Sequence, residues 1–409
     1  MSTQTHYDSA YSWARLGISI LIATIGNVGM WAVVVVLPAV QDEFGVERGD
    51  ASIPYTLTMV GFALGNVLFG RYIDRRGIAI PVAVAACANG AGFILAGMAG
   101  SIWLFALAQG VLIGIGTAIN FGPLIADVSH WFWKRRGFAV AAAASGNYLA
   151  GAVWPPVMNY FLADVGWRTT YVGIGVFIIA TILPLSLLLR HRRPAETVNA
   201  DGTTSGPPLK QTAMSQNTLL ALLIVAGIGC CMAMAMPQVH IVAYCADLGY
   251  GVARGAEMLA IMLGAGIISR LASGVLADKI GGIPTLLIGS VGQGLSLLLF
   301  IPFDGLVSLY VVSLVFGLAQ GGIVPSYAII VREYLPAKVA GERVGIVIMA
   351  TIAGMAIGGW MSGFIYDLTG SYAAAFINGI GWNVLNIAAI LVIVFNTRRR
   401  RPLPSAVPA

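Results

Sequence analysis

The sequence predicts an all-helical membrane protein, and three observations carry this prediction. Of the 409 residues, 58% are hydrophobic and 10% are charged, whereas soluble domains have about 25% charged residues. The mean hydropathy is +0.85. The apolar stretches have the length of about 20 residues with which a helix crosses a bilayer, and they lack the alternating pattern of barrel strands. The expected surroundings are therefore a lipid bilayer.

Breaks in the apolar pattern divide the chain into twelve predicted spans. Each span ends where polar, charged, Gly or Pro residues interrupt the apolar run. The first span is too long for a cleaved signal peptide and has no small-residue cleavage pattern, so we retain it as a helix. In order along the chain, the predicted spans are 15–40, 52–73, 79–98, 102–127, 137–163, 167–190, 217–246, 253–277, 283–302, 306–332, 341–367 and 371–396.

The basic residues predict the orientation of these spans. If both termini are cytoplasmic, that side holds 19 of the 23 Lys and Arg residues, and the opposite loops hold only Arg48, Arg168 and Arg254. This distribution follows the positive-inside rule, so the net charge of +6 mostly reflects topology. It favours anchors on anionic lipid over contacts with nucleic acid. The residues assigned to the cytoplasmic side are Arg15, Arg71, Arg75, Arg76, Lys134, Arg135, Arg136, Arg190, Arg192, Arg193, Lys210, Lys279, Arg332, Lys338, Arg343, Arg398, Arg399, Arg400 and Arg401.

A polar stretch at 191–216, rich in Pro, Gly, Ser and Thr, separates two six-helix halves, 1–190 and 217–409. The halves resemble each other. Glycine and acidic residues that follow the second span recur 204 residues later, and an aspartate near the end of the fifth span recurs 203 residues later. Two matches at nearly one offset indicate an internal duplication. The corresponding pairs are Gly70 and Gly274, Asp74 and Asp278, and Asp164 and Asp367.

The spacing of glycine, acidic and basic residues in LFGRYIDRRG and ASGVLADKIGG resembles the signature loops of the major facilitator superfamily. The twelve spans and the central linker extend this resemblance over essentially the whole chain. It implies the major facilitator fold, with these loops as cytoplasmic latches that hold the halves together when the molecule faces outward. A turn that only sets topology is the alternative. The residues implied in the latches are Gly70, Asp74, Arg75, Gly274, Asp278 and Lys279.

A finer resemblance concerns the monocarboxylate-transporter and oxalate/formate-antiporter branches. The stretch GIGTAINFGPLIADVSHWFWKRRGFAVAAAASGNYLAG, the position of Arg270 eight residues before Asp278, and SGFIYDLTGSYAAAF are similar to those branches. In them a helix-eight arginine contacts the substrate carboxylate, and Arg270 matches it. A helix-seven histidine contacts substrate in some bacterial relatives, and His240 resembles that residue.

The chemistry of Arg270 agrees with this role. A guanidinium does not lose its proton, so inside an apolar span it must find an anion, acceptors or water. Its cost near a helix centre is about 2.5 to 3.5 kcal/mol, which makes an intramembrane arginine a candidate site residue. Its planar fork offers two parallel bonds to a carboxylate. The alternative is a side chain that extends to the membrane surface, but Asp278 is about 12 Å away along the helix and the same face carries mostly small residues.

The remaining polar residues of the spans supply further candidates. No Asp or Glu lies in the middle of a span, so the predicted cavity favours an anion over an organic cation. His240 titrates at about pH 6.5 when unperturbed, and His240 and Asp127 are the candidate proton carriers; an interfacial histidine is the alternative for His240. Five other residues would bind substrate or, alternatively, bridge helices: Asn27, Asn120, Asn147, Tyr148 and Tyr327.

Together these residues predict a secondary active transporter in the cell inner (plasma) membrane, carrying a small monocarboxylate of the lactate or pyruvate type by alternating access. Proton symport is implied by the resemblance. Exchange of carboxylate anions is the main alternative, followed by a drug or sugar facilitator and a non-transporting sensor. The sequence has no phosphate-cradling loop and no nucleophile with a base, so we expect no enzyme and no cofactor. The four cysteines lack metal-ligand spacing, so no metal is expected. We expect a monomer.

Overall fold

The computed structural model of the protein describes residues 8–132, 135–191, 210 and 212–398, so most of the predicted linker at 191–216 lies outside the described residues. The described residues form helices joined by turns, and no strand occurs among them. A short π-helix, Ala108–Gly114, joins α5 to α6. The helices are α1 (Ala10–Gly26), α2 (Val28–Phe44), α3 (Arg48–Arg76), α4 (Ala79–Gly97), α5 (Ile102–Leu107), α6 (Ile115–Ala118), α7 (Gly122–Ser129), α8 (Arg136–Leu187), α9 (Gln216–Asp247), α10 (Val252–Ile280), α11 (Gly282–Leu299), α12 (Leu306–Gln320), α13 (Ile323–Tyr334), α14 (Ala337–Thr369) and α15 (Tyr372–Arg398).

The helices confirm an all-helical membrane protein. In the described ranges, ten helical segments are long and apolar enough to cross a membrane. The segment within α8 is 50 residues long, but Gly166 inside it has φ 77° and ψ 167°, which only glycine adopts readily. Two helices therefore meet at Gly166, at the boundary predicted between the fifth and sixth spans. The total of twelve spans and the cytoplasmic termini remain predictions.

Three of the predicted spans are interrupted within the bundle. The first consists of α1 and α2, which meet at Asn27. The fourth breaks between α6 and α7, and the tenth between α12 and α13. Pro123 and Pro325, which are 202 residues apart, follow the second and third breaks within the first helical turn, where a missing N–H costs nothing. Irregular backbone at membrane depth lies inside the protein or along a cavity, so these breaks mark the interior.

Small residues bring the helices close together. A Cβ atom placed on Gly61 of α3 would lie 1.9 Å from the carbonyl oxygen of Gly110. The two backbones are therefore in direct contact, and the spacing of Gly61 with Gly65 and of Gly110 with Gly114 is the small-xxx-small pattern that allows this approach.

The two predicted halves contact each other through α3 with α14 and α8 with α10. We call the end of the bundle that carries Ala10, Leu187 and Gln216 the terminal face, and the end that carries Phe44 and Tyr372 the opposite face. Within the described residues, all hydrogen bonds between the halves lie at the level of Arg270 or closer to the opposite face. The halves are thus joined at the opposite face.

Candidate functional site

Arg270 lies inside the bundle, where α10 of the second half meets α8 of the first. The residue is 7% exposed. Nη1 donates to the carbonyl of Ala144 on α8 at 2.9 Å, and Nε donates to the carbonyl of Gly321 at 3.4 Å. The guanidinium carbon lies 4.0 Å from the ring centroid of Tyr148, a distance at which the π-face attracts a cation. The charge therefore faces two carbonyls and a ring rather than a membrane surface.

Two glycines create the space for this arrangement. A Cβ on Gly266, one turn before Arg270, would lie 3.0 Å from the Tyr148 ring. A Cβ on Gly321 would lie 2.2 Å from the carbonyl oxygen of Gly266 and 3.0 Å from the Arg270 backbone nitrogen. The absence of both side chains lets Tyr148 lie against α10 and brings the break between α12 and α13 to the arginine.

Asn147 is adjacent to Tyr148, and Trp31 of α2 holds it. The indole Nε1 donates to the backbone carbonyl of Asn147 at 3.1 Å and to its side-chain Oδ1 at 3.2 Å. Trp31 is 2% exposed and Asn147 is half-buried. The Asn147 side-chain oxygen accepts one of these bonds, and the amide nitrogen remains available to donate.

Asn27 and Asn120 meet where α1 ends and the fourth span breaks. Asn27 Nδ2 donates to the carbonyl of Ala23 at 2.8 Å and to that of Asn120 at 3.4 Å. The Asn120 side chain lies against Gly26, where a Cβ would be 2.1 Å from Nδ2. In this structure Asn27 thus bridges helices, which was the alternative interpretation of its sequence position.

The second half contains two further buried polar contacts, one made by Tyr327 and one by a pair of glutamines. The Tyr327 hydroxyl donates to Asn386 Oδ1 at 3.3 Å. Gln238 of α9 donates to Gln320 at 2.6 Å, and Gln320 immediately precedes Gly321, which contacts Arg270. The glutamine pair was not among the predicted site residues. Two glutamines inside apolar spans were the signal that could have identified it.

His240 lies apart from Arg270, in the contact that joins α9 with α14. It is fully buried, and Nε2 is 2.8 Å from the carbonyl of Gly359. Because a carbonyl only accepts, Nε2 carries the hydrogen in this bond. Nδ1 has no hydrogen-bond partner among the described residues. Gly359 also packs against Tyr55 of α3, so His240 adjoins the contact between the halves, and no hydrogen bond in the described ranges links it to Arg270.

Asp127 pairs with Arg15, and both residues are 1% exposed at their side chains. Nε and Nη2 of Arg15 donate to Oδ2 at 2.9 and 2.8 Å. Nη1 donates to the Tyr11 hydroxyl at 3.0 Å, and the guanidinium lies 4.6 Å from the Trp131 ring centroid. Arg15 therefore lies within α1 with its charge neutralised inside the bundle, and not in a loop or tail; its assignment to the cytoplasmic side remains a prediction.

Arg48 lies at the opposite face, but at the start of a helix and not in a loop. Arg48 begins α3 and is 6% exposed. Its partners are on helices of the other half, more than 190 residues away in sequence, so no local pattern could have revealed them.

The predicted latch residues are only partly described. Gly70, Asp74 and Arg75 lie in the last two turns of α3, and their side chains are outside the described residues. Gly274, Asp278 and Lys279 lie in α10, where both charged side chains are exposed. Neither charge takes part in an ion pair with another described residue. Their role as latches remains a prediction.

Comparison with known proteins agrees with this architecture. The family model described as Major Facilitator Superfamily matches residues 19–341 and 258–409. Monocarboxylate transporter 13 of Rattus norvegicus is 27% identical over 337 residues, covering 80% of this chain and 75% of the relative. An uncharacterized MFS-type transporter, YcxA of Bacillus subtilis (strain 168), is 25% identical over 349 residues, covering 81% of this chain and 82% of the relative.

Two crystal structures share the fold. The nucleoside transporter NupG superposes with a TM-score of 0.73 at 13% identity, covering 92% of this chain and 99% of that one. A bacterial homolog of the human lysosomal transporter Spinster, in an inward-facing and unoccupied conformation, superposes with a TM-score of 0.65 at 14% identity. The alignment covers 95% of this chain and 96% of that one.

Proposed function

Because the chain belongs to the major facilitator superfamily and is a transporter of that family, we propose that it carries a small monocarboxylate of the lactate or pyruvate type by alternating access. The observation that carries the proposal is the environment of Arg270. It is a buried cation whose described partners are two neutral carbonyls and an aromatic ring. A carboxylate carries the opposite charge and offers two oxygens to the guanidinium fork for two parallel bonds, so it is a better partner than a neutral carbonyl.

Carboxylate binding would also act on the contact between the halves. The bond from Arg270 Nη1 to Ala144 joins α10 to α8. A carboxylate that takes Nη1 and Nη2 would compete with this bond and weaken the contact of α8 with α10. Substrate would then bind two arrangements of the halves with different affinity, which is the requirement for a ligand to shift a conformational equilibrium. Tyr148 lies beside the arginine, and Asn147, Asn120, Tyr327 and Asn27 are the further proposed pocket residues.

The proposed topology follows the sequence. Both termini are cytoplasmic, the six-helix halves comprise 1–190 and 217–409, and the transporter is a monomer of the cell inner membrane. In this orientation the opposite face is the outer face. It is closed in this structure, and the latch residues Asp74, Arg75, Asp278 and Lys279 act in the alternate state, when the cytoplasmic side closes.

We propose proton symport as the coupling, with His240 as the proton carrier and Asp127 as the second candidate. The His240 ring contacts Gly359 of α14, which also packs against Tyr55 of α3. We propose that separation of α3 from α14 exposes Nδ1, so that proton uptake is confined to the outward-facing state. The name of the Rattus norvegicus relative supports a monocarboxylate. Exchange of two carboxylates is the alternative, because a cavity with one positive charge needs no proton to bind an anion.

Uptake of labelled lactate by proteoliposomes separates symport from exchange. For symport, an inward proton gradient is expected to raise initial uptake several-fold, because each carboxylate enters with a proton. The measurement compares vesicles with and without the gradient, each empty or preloaded with unlabelled lactate. Empty vesicles without protein are the control. Uptake that requires preloading and ignores the gradient would instead favour exchange, and the absence of carboxylate uptake under every condition would refute the proposed substrate class.

Replacement of His240 by glutamine is expected to abolish the stimulation by the proton gradient and to preserve exchange. Glutamine Nε2 can still donate to Gly359, so the contact with α14 persists, but the amide does not titrate. The measurement is the ratio of gradient-driven uptake to exchange in the same vesicles. His130→Gln is the matched control, because His130 bonds to Ala126 at the end of α7 on the terminal face. Full gradient stimulation in His240→Gln would remove His240 as the carrier.

A further inference from the structure

A cluster of charged residues joins the halves at the opposite face. Arg48 of α3 contacts three helices of the other half through Asp247 of α9, Asp367 of α14 and Tyr372 of α15. We call this cluster, together with Gly49, the Arg48 clasp. Arg48 is 6% exposed and Tyr372 4%, whereas the Asp247 side chain and Asp367 are only partly buried.

Asp367 caps a helix that belongs to the other half. Its Oδ1 accepts from the backbone N–H of Arg48 at 2.9 Å, and its Oδ2 accepts from that of Gly49 at 2.6 Å. The first N–H groups of a helix have no partner within it, and a carboxylate there is favoured by the helix dipole as well. A Cβ on Gly49 would lie 3.0 Å from Oδ2 and 3.4 Å from the Phe364 backbone, so the glycine allows α14 to approach.

The Arg48 guanidinium makes the second set of bonds. Nη2 lies 3.1 and 3.2 Å from the two oxygens of Asp247. Nη1 donates to the Tyr372 hydroxyl at 2.6 Å, and the guanidinium carbon lies 5.1 Å from the Tyr366 ring centroid. The Arg48 side chain thus pairs with Asp247 and Tyr372 while its backbone pairs with Asp367, and all of these bonds break if α3 separates from α9, α14 and α15.

The repeat in the sequence makes the clasp asymmetric. Asp367 corresponds to Asp164 in the first half, but Asp164 is exposed. Only the copy in the second half is built into a contact between the halves. The described residues contain no comparable set of ion pairs between the halves at the terminal face.

From this geometry we infer that the Arg48 clasp is a releasable lock: it holds the opposite face closed and must open in each transport cycle. Every bond of the clasp crosses from one half to the other and closes the same end of the bundle. Weakening it therefore shifts the population toward molecules open at the opposite face, without a change at Arg270.

Spin labels test the lock directly. Asp42 and Ala253 are exposed at the opposite face, one in each half, and labelled cysteines there report the separation of the halves by double electron–electron resonance. The protein is full-length, in nanodiscs, with its four native cysteines replaced by alanine. Asp367→Asn and Arg48→Gln are expected to raise the ratio of long to short distances about tenfold. Asp164→Asn, the repeat counterpart, and Arg168→Gln, whose pair with Glu43 lies within one half, are expected to leave the ratio unchanged.

A merely structural role predicts a different outcome. Asp367→Asn would then lower the thermal unfolding temperature without changing the distance distribution, and that result would overturn the inference. Equal shifts in the clasp variants and the controls would also overturn it. If the charge variants do not fold, Tyr372→Phe, which removes one hydroxyl, is expected to raise the same ratio about threefold. No substrate is needed, so the result is independent of the monocarboxylate proposal.

Discussion

Replacement of Arg270 by alanine is expected to reduce carboxylate uptake by about 30-fold to several thousand-fold. Removal of one partner of a buried, hydrogen-bonded charge pair costs about 2 to 5 kcal/mol, and each 1.4 kcal/mol is about tenfold in affinity. Arg270→Lys is expected to restore little, because an ammonium cannot make the two parallel bonds of the guanidinium fork. The measurements are initial lactate uptake in proteoliposomes and the lactate-induced shift in thermal unfolding.

Arg254→Ala is the matched control for this variant. Arg254 is on the same helix, but it is exposed and pairs with Glu257 one turn away at 3.0 Å. Uptake by this variant is expected to equal that of the parent protein. Lactate uptake and binding that survive in Arg270→Ala would refute the proposed carboxylate site, even if other experiments supported transport of a carboxylate.

The alanine variant has a second expected effect, on the empty protein. Arg270 joins α10 to α8 through Ala144, so its removal weakens the contact between the halves in the absence of substrate. Substrate binding and this contact use the same guanidinium. The two effects are separable, because the contact is measured by distances without lactate and the site by uptake.

The fold and the position of Arg270 could be predicted because the information is local. Apolar runs and loop charges are patterns within short windows, and each loop of the repeat is recognised from a short motif. A cation in an apolar run needs a buried anion, acceptors or water as its partner. The neighbours of Arg270 could be predicted only in part. Tyr148 was a candidate, but its place beneath the guanidinium depends on Gly266 and on the break at Gly321, neither of which carries a functional side chain.

The errors concern charges whose partners are distant in sequence. Arg15 stands at the start of a span, where a topological anchor and a buried ion pair look alike, and its partner Asp127 is 112 residues away. Arg48 and Asp367 are 319 residues apart. The role of Asn27 could not be predicted either. An asparagine inside an apolar span can bind substrate or bridge helices, and only its position at the end of α1 shows the contact with Asn120.

Breaking the Arg15 pair is expected to be the most destabilising change in the first half. Arg15→Ala or Asp127→Ala leaves an unpaired charge on a side chain that is 1% exposed in the parent protein, a loss of about 3 to 5 kcal/mol in comparable buried pairs. Replacement of both residues, Arg15→Met with Asp127→Leu, removes both charges and is expected to recover most of that loss. The measurement is unfolding in detergent, with the two single variants and the double variant forming a cycle.

The same double variant decides between the two candidate proton carriers. If the Arg15 pair is structural, uptake by the double variant remains as sensitive to the proton gradient as that of the parent protein, because the variant still contains His240. If Asp127 carries the proton, the double variant folds but loses gradient stimulation, and His240 is then released from that role. Because stability and coupling are measured on one folded protein, a loss of coupling here cannot be attributed to misfolding.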